Sequence, residues 1–184
     1  MTKWLLVFIG LGASACVGAR VPTTPAERVQ TASGVRVTLP HWFRADFPGP
    51  VEDAPDVVQT PNGELPCRRF STKSATTFAE VRVVESPNGF SVPRDVMLAR
   101  MITKAHEGKT MTSGGIVQQG SFDGFDMTVV APPHSPDNPS DFTIACRTRE
   151  LLSNTKLVMS FFCGDAAHPD PALEASADSL AALE

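Results

Sequence analysis

Apolar and polar residues alternate along much of the chain with a period of two, the pattern of strands that bury one face. Val35, Val37 and Leu39 alternate with polar neighbours, and Trp42 and Phe43 follow Pro40. Asp56 to Thr60 and Glu64 to Ser71 flank Pro61-Asn62-Gly63, where Asn-Gly accepts the positive φ angles of a tight hairpin turn. Thr77 to Glu85 predicts a further strand, with Ala79, Val81 and Val83 on one face. Ile116 to Ser121 and Phe125 to Ala131 flank Asp123-Gly124, a second hairpin signal, and Phe125, Met127 and Val129 share a face. A long polar connection, Pro132 to Ser140, follows. Phe142, Ile144 and Cys146, and then Leu157, Met159, Phe161 and Cys163, alternate on either side of Ser153-Asn154-Thr155.

Two stretches carry helical spacing instead. Ser91 can cap a helix with Pro93 in its first turn and Asp95 near its positive end. Met97, Leu98, Met101, Ile102 and Ala105 then fall on one stripe, and Gly108 can end the helix. Near the C-terminus Asp170 can cap a helix starting at Pro171, with Leu173, Ala177 and Leu180 inward. These elements predict an α+β domain: an antiparallel sheet of about six to eight strands, covered by one central and one C-terminal helix.

The first fifteen residues obey a different logic. Lys3 supplies a positive charge, Trp4 to Leu11 form a short apolar run, and Gly12, Ala13, Ser14 and Ala15 are small. This is the order of a secretory signal peptide, and the run is far shorter than the ~20 apolar residues of a membrane-spanning helix. Ala13-Ser14-Ala15-Cys16 resembles the lipobox of bacterial lipoproteins, with Ala13 where a branched aliphatic residue is usual. That resemblance implies lipidation of Cys16; the alternative is plain cleavage after Ala15 or Ala19. Residues 16–34 contain Pro22, Thr23, Thr24, Pro25, Thr31 and Ser33 and no apolar period, which predicts a flexible linker. The expected organisation is therefore a signal over 1–15, a linker over 16–34 and one domain over 35–184.

From roughly Ser33 to Leu183 the order of elements resembles the PsbP/Mog-like fold family of small exported lipoproteins. The local cues are the Leu39-Pro40 strand ending, the proline-led helix after Ser91, the glycines Gly120 and Gly124, and Ser179-Leu180. The resemblance implies a binding or assembly role without catalysis.

Charge and composition narrow the partners. The net charge of −4 becomes −5 without Lys3, and no basic stripe is present to displace counterions from a nucleic acid. Tyr is absent and one of two Trp lies in the signal, which argues against an aromatic sugar-stacking surface. Neither a cofactor motif nor a complete catalytic set is recognisable. Ser153-Asn154-Thr155-Lys156 has the spacing of serine acylases but falls at a hairpin turn rather than opening a helix. Gly108-Lys109-Thr110 and Gly120-Ser121-Phe122-Asp123-Gly124 are fragments of phosphate-loop and nucleophile-elbow motifs in the wrong context.

The weak metal candidates are Asp165, His168 and Asp170, within six residues of one another; Asp170 already has a role as a helix cap. His134 and Asp137 could join His168 in acid–base chemistry only if their two loops meet. Three functions are compatible with this inventory. The first is an envelope module, anchored in the membrane only through an N-terminal lipid, that binds a protein or ligand. The second is a small periplasmic hydrolase using loop His and Asp residues. The third is a carrier of a hydrophobic ligand held beneath the Met-containing helix.

With Cys16 lipidated or removed, three cysteines remain, so at most one internal bridge can form in an oxidising compartment. A turn centred between Asn154 and Thr155 would place Cys146 and Cys163 directly opposite each other on the buried face. Cys67, on another strand, is expected to be the odd thiol.

Overall fold

In the computed structural model, residues 18–60, 63–90, 93–105, 109–136 and 138–183 are described. Strands β1 (Glu27–Thr31), β2 (Gly34–Leu39), β3 (Phe43–Phe47), β4 (Glu52–Thr60), β5 (Gly63–Lys73) and β6 (Thr77–Glu85) come first. Helix α1 (Arg94–Ala105) precedes β7 (Thr110–Gln119), β8 (Phe122–Ala131), β9 (Ile144–Leu152) and β10 (Lys156–Asp165). Helix α2 (Pro171–Ser179) and the short β11 (Ala181–Ala182) follow.

Two antiparallel sheets result. The larger runs β4-β5-β6-β10-β9-β8-β7 and the smaller β1-β2-β3-β11. Eleven strands and only two short helices are described, so the class is mainly β, which overturns the expected α+β architecture with a central covering helix. Both helices form, but they are short. What covers much of one face of the large sheet is the second sheet.

The reason lies in the middle strand. Every residue of β10 from Leu157 to Gly164 is buried, because both of its faces are covered. On one side Val158 and Phe162 join Phe70, Val81 and Val83 in a core completed by Val37, Leu39, Trp42, Phe43 and Phe47 of the small sheet and by Leu173, Ala177 and Leu180. Phe43 and Phe70 meet edge to face with ring centroids 5.3 Å apart. On the other side Leu157, Met159 and Phe161 pack with Phe125, Met127, Val129 and Leu152, and Leu98 and Ile102 of α1 rest on that core.

The folded domain also begins earlier than expected. β1 lies inside the stretch read as a linker over 16–34 and pairs along its whole length with β2. It is exposed at four of five positions, so backbone hydrogen bonding rather than an apolar pattern holds it. Further upstream, Arg20 pairs with Glu85 through backbone and side chain. The signal and Cys16 lie outside the described residues.

Two turns refine the hairpin readings. Thr60 pairs with Gly63, while Pro61 and Asn62, the expected turn residues, lie outside the described residues. The β7–β8 turn is Gly120-Ser121, closed by Gln119 opposite Phe122, not Asp123-Gly124. Gly120 has φ 57°, the left-handed value such a turn demands. Gly124 sits within β8, where a Cβ would lie 1.9 Å from the Glu150 carbonyl oxygen. It is a glycine for close approach, not for turning.

Candidate functional site

The small sheet does not reach across the whole large sheet. Beyond it, the outer face of β7 to β10 is left to α2, and a groove of about 540 Å³ opens between them. Ser113, Gly115 and Val117 of β7 form one wall; Ala145 and Phe162 lie on the floor; Leu173 and Ala177 of α2 form the opposite wall.

Local chemistry fixes α2 in this position. Asp170 caps the helix, its Oδ1 accepting from Ala172 N at 2.9 Å, and Pro171 opens it. Gly164 lets the helix approach: a Cβ there would stand 3.0 Å from Leu173 Cδ2. At the other end Ser179 Oγ accepts from Asp46 N at 2.7 Å, and Arg149 Nη1 donates to Leu180 O at 2.7 Å.

An ion cluster crosses the sheet beside the groove. Arg147 donates to Asp126 through Nε at 3.0 Å and Nη2 at 2.8 Å, and Arg149 donates to the same carboxylate through Nε at 3.0 Å. Arg147 also donates to Asp178 of α2. Burial alone would raise the Asp126 carboxyl, but the hydrogen bonds from both guanidinium groups outweigh it and hold the group below the usual carboxylate range. The hydrogen bond from Arg147 to Asp126 in turn raises the arginine further. The charges facing the groove are therefore spoken for, except Glu174, which is exposed on the α2 side.

The residues singled out from the sequence fall in two loops. His168 Nδ1 lies 2.9 Å from Asp165 Oδ2, in a pair at the groove rim with the imidazole 84% exposed. The hydrogen bond from His168 lowers the Asp165 carboxyl. Asp170 is turned to its capping role. Among the described residues no group of three His, Cys, Asp or Glu side chains is arranged to hold a metal ion.

His134 pairs instead with Asp141, Nε2 to Oδ1 at 3.6 Å, and Asp137 lies outside the described residues. Among the described residues no side-chain hydrogen bond joins the two histidine rings or brings a Ser, Thr or Cys side chain to either ring. The loop that carries His134 is organised by Asn138, fully buried, whose Nδ2 donates to Ala131 O and Phe142 O and whose Oδ1 accepts from Ser140. In the Ser153-Lys156 pair, Ser153 Oγ accepts from the Lys156 backbone, while Lys156 Nζ donates to His41 O and stands over the Trp42 ring. No nucleophile–base contact exists there.

Cys146 and Cys163 are directly opposed on β9 and β10 and form a disulfide, with Cα atoms 4.1 Å apart. Cys67 is a free, fully buried thiol, and burial pushes it up to about 12. Close by on the α1 side lie Glu80, Arg82, Arg69 and Asp56 in linked ion pairs, with Glu80 almost wholly buried. Sequence reasoning missed this cluster. Its signal is the charged residues Glu80 and Arg82, which alternate with Ala79, Val81 and Val83 and so face away from those residues into the other core.

Beneath α1, Leu98 and Ile102 meet the core of that face; the side chains of Met97 and Met101 lie outside the described residues. The groove is on the opposite face of the sheet. Comparison with protein-family models finds no match, and comparison with curated proteins finds none either.

Proposed function

We propose that the chain is an exported, non-enzymatic binding module of the cell envelope, carrying lipid on Cys16, and that a ligand or partner segment sits in the groove between α2 and β7 to β10. The observation that carries the reading is the groove itself: an open trough with an apolar floor, where Arg147 is tied to Asp126 and Asp178 while Asp165, Asp170 and Glu174 leave the α2 side acidic. Such a site offers shape and apolar surface with a few polar anchors, the usual make-up of a binding pocket, and little chemistry. The cross-strand disulfide supports an oxidising compartment. Because Arg20 is already tied to Glu85, a lipid on Cys16 would hold the domain close to the membrane surface rather than on a long tether.

A hydrolase is the second reading, favoured by the Asp165–His168 pair at the groove rim. It requires a nucleophile that no contact of His168 supplies.

The two are separated by native mass spectrometry of protein taken from the envelope of an exporting cell. The binding reading expects an N-terminus at acylated Cys16 and a bound mass that disappears in Ala145→Trp with folding unchanged. An activity abolished by His168→Ala in the folded protein would favour the hydrolase. A mature chain beginning at Arg20 without lipid would remove the anchor.

A further inference from the structure

The large sheet has two edges, and they are built differently. β4 carries Glu52, Asp53, Pro55 and Asp56, and Asp53 is engaged by Arg28 and Arg68. Proline and acidic residues are the usual means by which an edge strand is kept from pairing with another chain. β7, the other edge, is ten residues long, Thr-Met-Thr-Ser-Gly-Gly-Ile-Val-Gln-Gln, without a charge or a proline. It pairs with β8 alone among the described strands, and it exposes two large apolar side chains, Met111 at 52% and Ile116 at 69%.

These two residues share a face. Met111 lies opposite Val129 and Ile116 opposite Phe125, and both partners belong to the core on the α1 side. Met111 and Ile116 are five positions apart, which in a regular strand would put them on opposite faces. The irregularity between Met111 and Ser113 restores them to the same one.

We infer that β7 is a self-pairing edge through which two copies of this chain form a closed dimer. With antiparallel pairing about a two-fold axis through Gly114, Ser113 lies opposite the partner's Gly115, and Ile116 of each copy lies against Met111 and Thr112 at the partner's irregularity, once on either side of the axis. Both exposed apolar side chains are then covered twice over by one symmetric contact. No like charges meet across it, because the strand has none. The symmetry also limits growth of the large sheet: each copy spends its β7 edge, and the acidic, proline-bearing β4 edges that remain do not pair. On the opposite face Ser113, Gly115 and Val117 line the groove, so the dimer would bring two grooves together at the axis. That consequence rests on the groove reading; the dimer does not.

Sedimentation velocity of the processed protein, over a range of concentrations and in one detergent for all variants, tests this. The wild type is expected to sediment as a dimer. Ile116→Lys and Met111→Lys, at exposed sites, are expected to weaken dimerisation at least tenfold while the circular dichroism of the folded protein stays unchanged. Val57→Lys, on the β4 edge, should leave the dimer intact. A wild type monomeric at every concentration, a dimer indifferent to Ile116→Lys, or open-ended association in place of a closed dimer would each overturn the inference. Loss of the dimer with the bound mass retained would leave the groove reading standing.

Discussion

Replacing Glu150 with Gln should change how stability depends on pH. Glu150 lies on β9 between Met159 of β10 and Phe125 of β8, 1% exposed, and its Oε2 has no hydrogen-bond partner among the described residues. Burial pushes its carboxyl up to about 8 from 4.5. A carboxyl raised in the folded state contributes its full stability below the unfolded value. That contribution is lost as the pH rises from about 4.5 through 8. Over this interval, at ~1.4 kcal/mol per pH unit, the loss is on the order of 5 kcal/mol, comparable with the ~5–15 kcal/mol that holds a domain folded. Urea unfolding from pH 5 to 8.5, followed by the fluorescence of buried Trp42, measures it. Burial also raises Glu80, so the readout is the difference between the wild type and Glu150→Gln, not the wild-type slope alone. The variant should lose less stability as the pH rises and should overtake the wild type at the alkaline end. Parallel curves for the two proteins would refute the reasoning.

Three further outcomes follow from the same packing. Removing the bridge in Cys146→Ala/Cys163→Ala should cost about 3 kcal/mol by the loop-closure argument for a sequence separation of 17, and non-reducing peptide maps of the wild type should link those two cysteines while Cys67 is alkylated only after unfolding. Gly124→Ala forces a Cβ against the Glu150 carbonyl and should cost about 3 kcal/mol or more in denaturant midpoint, whereas a mere turn glycine at that place would cost less. Asp170→Ala removes the α2 cap and should cost about 1 kcal/mol; Asp170→Asn should recover most of it.

The parts of the molecule legible in the sequence are those where one face decides everything. The turn at Asn154-Thr155 set the register that opposes Cys146 to Cys163, because alternation on both strands pointed their thiols to the same side. Asp170 announced its helix by type and position. The class was misread because nothing in the alternation of β2, or of Phe43, Ala45 and Phe47 on β3, shows that these strands form a sheet of their own. β1, Glu-Arg-Val-Gln-Thr, is held by its pairing with β2, and short β3 follows a turn that interrupts the alternation. Without that sheet, helices seemed the only cover for the large one. Asp123-Gly124 misled because a glycine chosen for closeness to Glu150 and one chosen for a turn are the same letter. The groove was not legible at all: Arg147, Asp126 and Asp178 are far apart in the chain and meet only once α2 docks.

The central claim is that the groove between α2 and the outer face of β7 to β10 is where this protein binds. Photo-cross-linking in the envelope of an exporting cell addresses it directly. A photoreactive residue is placed in turn at Gly115 and Glu174, which line the groove, and at Val29, which is 59% exposed on β1 away from it. The account predicts that positions 115 and 174 capture the same adduct, that position 29 does not, and that Ala145→Trp abolishes the capture. Capture at position 29 alone, or capture at the groove positions that survives Ala145→Trp, would contradict it.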